Sequence, residues 1–184
     1  MTGDIGPLDA EAGLVSIPTI NTERLILRPH RLSDFDACAA LWGDPDVVRF
    51  IGGVPFKREQ SWGRLLCYRG SWHLLGFGFW AIEERGSGTF IGEAGFLEAR
   101  RSMTPSIEGT LETGWVLRPA AHGKGYATEA LSAIVDWGQT RFPEKTMNCI
   151  VDPENAASLR VAAKLGFREV TRANYNGEVI LLSR

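Results

Sequence analysis

The stretch TLETGWVLRPAAHGKGYATEAL, residues 110–131, runs from an apolar strand pattern through a proline and two glycines into a helical pattern. Trp115, Val116 and Leu117 close the strand, and Gly123 and Gly125 leave the loop bare on either side of Lys124. Beyond Tyr126, the residues Ala127, Ala130, Leu131, Ile134, Val135 and Gly138 recur at helical spacing, which predicts a helix of about four turns. A strand, a glycine-rich turn and a helix start make a ready anion site. The first-turn N–H groups have no partner inside the helix, the dipole favours negative charge, and glycine lets a phosphate approach the backbone. A loop kept short for economy has the same look. The Walker spacing GxxxxGK[ST] is absent, and GxGxxG is not met in this loop.

Downstream, TMNCIVD (146–152) reads as a strand and Asn155 to Leu165 as a short helix that Gly166 stops. A strand from Phe167 and a last one, EVILLS (178–183), are joined by NYNG (174–177). Upstream, RLILRP (24–29) reads as the first strand. Ser33 with Asp36 marks a helix start, Phe35, Cys38, Leu41 and Trp42 share one face, and GDP (43–45) is a stop. A second helix fits residues 57–69, and GFGFWAIEE (76–84) and TFIGEAGFL (89–97) flank the hairpin turn RGSG. The order is that of one mixed α/β (α+β) domain over residues 21–184, with residues 1–20 a loose leader.

The formal net charge is −2 and no Lys/Arg-rich run offsets it, which argues against nucleic-acid binding. Arg100-Arg101 reads as solvated surface. The longest apolar run, LLGFGFWAI (74–82), is about half of the ~20 residues a membrane span needs, and the N-terminus lacks a secretion pattern. A cytoplasmic protein without a membrane partner is expected. Cys38, Cys67, Cys149 and the histidines at 30, 73 and 122 match no metal-ligand spacing, so no metal is expected.

His122-Gly123-Lys124-Gly125-Tyr126-Ala127 resembles the acyl-CoA signature Q/R-x-x-G-x-G/A of the GNAT superfamily of N-acyltransferases. Gly125 and Ala127 sit at its fixed positions, and His122 stands where the family has Gln or Arg. DPENAASLRVAAKLGF (152–167) is similar to the family's second signature. With TERLILRP near the start, the resemblance covers the chain from about residue 20 onward and is closest to the Rim-type branch of ribosomal-protein N-terminal acetyltransferases.

The resemblance implies an acetyl-CoA-dependent N-acetyltransferase. Its mostly antiparallel sheet would have about seven strands, helices on both faces and a splayed central pair. The pantetheine would lie in that wedge against the backbone of Trp115, Val116 and Leu117, and the pyrophosphate on the amides from Gly123 to Ala127, beside His122. Asn155 would bond the pantetheine; from the residues alone it is equally a helix cap. The acceptor would be a protein N-terminal α-amine or a small amine, in a cleft bordered by residues 43–60 and NYNG. Monomer and homodimer both remain open.

Acyl transfer needs a neutral amine, a donor for the oxyanion and help for the departing thiolate. Glu112, in a strand otherwise suited to burial, is the candidate base, and a salt bridge is the competing role. Glu93 on the neighbouring strand is the rival base. The Val116 amide is the candidate oxyanion donor. Where many family members carry a tyrosine this chain has Ala162, which leaves Ser158 as the hydroxyl near the thiolate. Cys149 reads as a core cysteine. A reading from another class is a catalytically silent acyl-CoA sensor.

Overall fold

The computed structural model describes residues 16–184. Its strands are β1 (Ile20–Asn21), β2 (Leu25–Arg28), β3 (Phe79–Glu84), β4 (Thr89–Leu97), β5 (Leu111–Leu117), β6 (Met147–Val151), β7 (Arg168–Asn174) and β8 (Glu178–Ser183). They form one sheet in the order β1-β2-β3-β4-β5-β6-β8-β7. Every neighbouring pair is antiparallel except β5 with β6. The α-helices are α1 (Phe35–Trp42), α2 (Pro45–Val48), α3 (Arg58–Leu75), α4 (Tyr126–Arg141) and α5 (Ala156–Lys164).

The sheet has eight strands where about seven were expected. The added strand is β1, which pairs Ile20 with Leu27 and Asn21 with Ile26. Ile17 and Ile20 pack on the core, and Trp80 Nε1 donates to the Pro18 carbonyl at 2.8 Å. The packed chain therefore begins before residue 21. The rest of the expected leader, residues 1–15, lies outside the described residues.

Side chains alternate across the sheet, and both faces are covered. On one face Leu111 and Leu117 of β5 join Ala130, Leu131, Ile134 and Val135 of α4. On the other, Val116 joins Cys38, Leu41, Trp42, Val48 and Leu65 from α1, α2 and α3. Close approach is set by Gly138, where a Cβ would lie 2.6 Å from the Phe96 ring and 2.7 Å from Met147.

Three local expectations are corrected. Helix initiation before α1 centres on Asp34, not on Ser33: its carboxylate accepts from the Arg31 amide at 2.7 Å and from Arg28 Nη1 and Nη2 at 2.7 and 2.8 Å. GDP ends α1 but also starts α2, because Asp44 accepts from the Asp46 amide at 2.9 Å and Pro45 suits a first helical position. Helix α3 runs on past Arg69 to Leu75, since Tyr68 and Trp72 extend its buried stripe, and Gly76 closes it in the left-handed conformation at φ 75°.

Candidate active site

Strands β5 and β6 touch at two rungs only, Leu111 with Met147 and Glu112 with Asn148. Past Glu112 they part. Two hydrogen bonds fix how the β5 backbone alternates: Leu111 N–H donates to Thr146 at 2.9 Å, toward β6, and Arg118 N–H to Ile91 at 2.9 Å, toward β4. Odd-numbered residues therefore aim their peptide groups into the wedge and even-numbered ones at β4. Thr113, Trp115 and Leu117 face the wedge. Val116 is spent on the β4 ladder opposite Glu93, which corrects its expected roles as pantetheine contact and oxyanion donor.

His122 Nε2 lies 2.9 Å from the Leu117 carbonyl, bracing the loop against the strand end. Among the described residues, the Leu117 amide and both the N–H and the carbonyl of Trp115 are left for the wedge. At its apex Thr113 Oγ1 is buried with no hydrogen-bond partner among the described residues.

The loop after β5 makes a 3-10 turn at Pro119–Ala121 and then passes through Gly123 at φ 73° and Gly125 at φ 80°. Both lie in the left-handed region that glycine reaches without strain. Gly125 is the N-cap of α4 and, among the described residues, no side chain caps the first turn, so its amides are open to a ligand. Lys124 is exposed, Ala127 is half-buried, and the Tyr126 hydroxyl donates to Glu84. A bare helix start beside a strip of unpaired strand backbone suits a phosphate joined to an extended, amide-bearing arm.

Glu112 is buried beneath Arg101, which Arg100-Arg101 as solvated surface did not anticipate. Arg101 Nε lies 2.9 and 2.8 Å from Oε1 and Oε2, and Nη2 lies 2.6 Å from Oε1. The Arg101 guanidinium also sits 4.6 Å from the Tyr175 ring centroid, so the 99–109 loop and the NYNG turn meet over Glu112. A carboxylate offers about four lone-pair sites, so Oε2 keeps one for a further partner.

Glu93 is fully enclosed. Trp42 Nε1 donates to Oε1 at 2.8 Å, the Tyr68 hydroxyl donates to the same oxygen, and His30 Nε2 lies 3.2 Å from Oε2. Burial pushes its carboxyl up, but His30, Arg64 and Tyr68 outweigh that and hold it below the usual range. These partners tie α1, α3 and the end of β2 to β4. His30, Cys38 and Glu93 offer ligand atoms within 4.8 Å of one another. Burial and Glu93 push the Cys38 thiol up, which opposes the thiolate a metal needs, and Arg64 Nε already lies 3.9 Å from Glu93.

Asn155 caps α5, its Oδ1 accepting from the Ser158 amide at 3.0 Å. Ser158 is half-buried, and its hydroxyl has no partner among the described residues. Ala162 is in the core.

The family described as "Acetyltransferase (GNAT) domain" matches residues 24–168. The chain belongs to the GNAT acetyltransferase family. It is an acyltransferase. This GNAT chain is 29% identical over 152 residues to the uncharacterized N-acetyltransferase p20 of Bacillus licheniformis, across 82% of this chain and 83% of that protein. A solved GNAT-family acetyltransferase of Bordetella pertussis is 28% identical with a TM-score of 0.81, over 91% of this chain and 99% of that one. RimL, a ribosomal L7/L12 α-N-protein acetyltransferase solved in complex with coenzyme A, shares the fold at 17% identity and a TM-score of 0.70, over 91% and 97%.

Proposed function

We propose that the chain transfers the acetyl group of acetyl-CoA to a primary amine, either a protein N-terminal α-amine or a small amine, by direct attack in a ternary complex. The observation that carries this reading is the two-rung opening between β5 and β6, leading straight to the bare amides of the α4 start. The crystallised CoA complex of RimL supports the cosubstrate.

The loop from His122 to Ala127 holds the pyrophosphate, and Trp115 and Leu117 bond the pantetheine amides. The free Asn155 amide group supports the arm from α5. Glu112 Oε2 takes the proton of the attacking amine, directly or through one water, while Arg101 holds the carboxylate in place. As the amine nitrogen bonds the thioester carbon, the oxyanion is met by a wedge-facing amide, with Trp115 the best placed by strand alternation. The carbon–sulfur bond then breaks, and the Ser158 hydroxyl hydrogen-bonds the departing thiolate. Glu93, fully enclosed, is shut off from an acceptor amine. A cytoplasmic location is supported by three free cysteines.

Release of free CoA thiol from acetyl-CoA, measured against a panel of N-terminal peptides and small amines, tests the reading. Thiol release that depends on an amine is expected; CoA binding with no turnover on any amine would instead fit the sensor.

A further inference from the structure

An anion site at the start of α4 contains an apparent contradiction. Glu129, in the first turn of that helix, is a carboxylate beside the amides that should receive a phosphate. Both of its oxygens are occupied. Oε1 accepts from the Thr22 hydroxyl at 2.6 Å and the Arg24 amide at 2.8 Å, and Oε2 accepts from Arg24 Nε at 2.7 Å. Arg24 Nη2 stands 2.7 Å from Oε2 as well.

Arg24 does more than neutralise. Its Nη1 donates to the Lys124 carbonyl at 2.9 Å, and its guanidinium lies 4.7 Å from the Tyr126 ring centroid. In a trans peptide the carbonyl and the following N–H point in opposite directions. Holding the Lys124 carbonyl inward therefore turns the Gly125 N–H outward, toward an approaching anion. The same guanidinium stands on the loop's rear, with Nη2 3.5 Å from where a Gly125 Cβ would be.

We propose that Arg24 and Glu129 form a charge-compensated clamp that sets the anion affinity of the Gly123–Gly125 loop: Arg24 aims the Gly125 amide and cancels the Glu129 charge. Arg24 is a positioning residue in this role, and the proposal rests on the loop being the pyrophosphate site. Glu129 in turn anchors the β1–β2 turn to α4, so that turn is wired to the cosubstrate loop.

Calorimetric titration of CoA into the full-length protein and three variants tests it. Arg24→Gln should weaken CoA roughly 10- to 100-fold, because one amide loses its aim and the Glu129 carboxylate beside the loop loses its counter-charge. Glu129→Gln should tighten CoA several-fold, since Arg24 then has no intramolecular counter-charge. The Arg24→Gln/Glu129→Gln double variant should regain part of the affinity lost in Arg24→Gln. Acetyl-pantetheine, which lacks the pyrophosphate, should show a KM changed less than about threefold in every variant, whereas a merely structural role would move both substrates together. Equal CoA affinity in wild type and Arg24→Gln, or weakening by Glu129→Gln, overturns the clamp. A wild-type protein that fails to bind CoA overturns the phosphate-site reading instead. Should Arg24→Gln not fold, the sign of the Glu129→Gln change decides alone.

Discussion

Glu112 and Glu93 point to the same face of adjacent strands, yet their surroundings separate them. Glu93 is held by five partners, Trp42, Tyr68, His30, Cys38 and Arg64, and sealed; Glu112 is held by one arginine and keeps a lone-pair site on Oε2. Glu112→Gln should lower kcat by roughly 10²–10⁴-fold with the KM for acetyl-CoA little changed, as steady-state kinetics on a confirmed acceptor would show. Weakly basic amines, already neutral at the assay pH, should lose less than strongly basic ones. Wild-type turnover would remove Glu112 as the base. Thr113 offers a second test. Its orphaned hydroxyl is tolerated in the free protein, so Thr113→Val should leave the melting temperature unchanged or higher. If that hydroxyl meets the cosubstrate at the wedge apex, the same change should weaken CoA about two- to tenfold, and stability and affinity would then move in opposite directions.

Elements were legible where a period or a glycine carried them. Helix α4 follows from Ala130, Leu131, Ile134 and Val135, and the loop from Gly123 and Gly125, whose left-handed conformation glycine alone supplies cheaply. Helix α2 and strand β1 span four and two residues, too short for any period to register, and their existence depends on Asp44 and on pairing with β2. Arg101 and Arg24 were missed for a related reason. Each acts on a residue brought near only by folding, Glu112 from the next strand and Glu129 from a sequence distance of 105. Strand alternation also needed the long-range bonds at Leu111 and Arg118, which is why Val116 and Trp115 were not told apart by sequence. The α4–sheet contact gives its own prediction. Gly138→Ala would force a methyl against Phe96 and Met147 and should cost about 1–3 kcal/mol in urea unfolding.

Over the whole molecule, acid is the natural destabiliser. Burial pushes the Asp34 carboxyl up, but the Arg28 fork and the Arg31 amide outweigh it and hold it below the usual range. A depressed folded pKa contributes stability that is present above the unfolded value, near ~3.9, and is lost as pH falls through the folded one. Asp34 should thus steepen the loss of stability below about pH 4. Asp34→Asn, which leaves the buried Arg28 with Glu83 as its remaining counter-charge, should cost about 1.5–3 kcal/mol at neutral pH and flatten that acid slope in urea titrations. The two rungs between β5 and β6 have a different sequel. Such a seam divides the sheet into cooperative units of unequal strength. In the free protein, amide protons of β6, β7 and β8 should exchange with deuterium sooner than those of β3 and β4, which are paired along nearly their whole length. A bound cosubstrate would act as mortar between the courses. Exchange on both sides of the seam should then slow together, and the C-terminal strands should stop opening ahead of the rest.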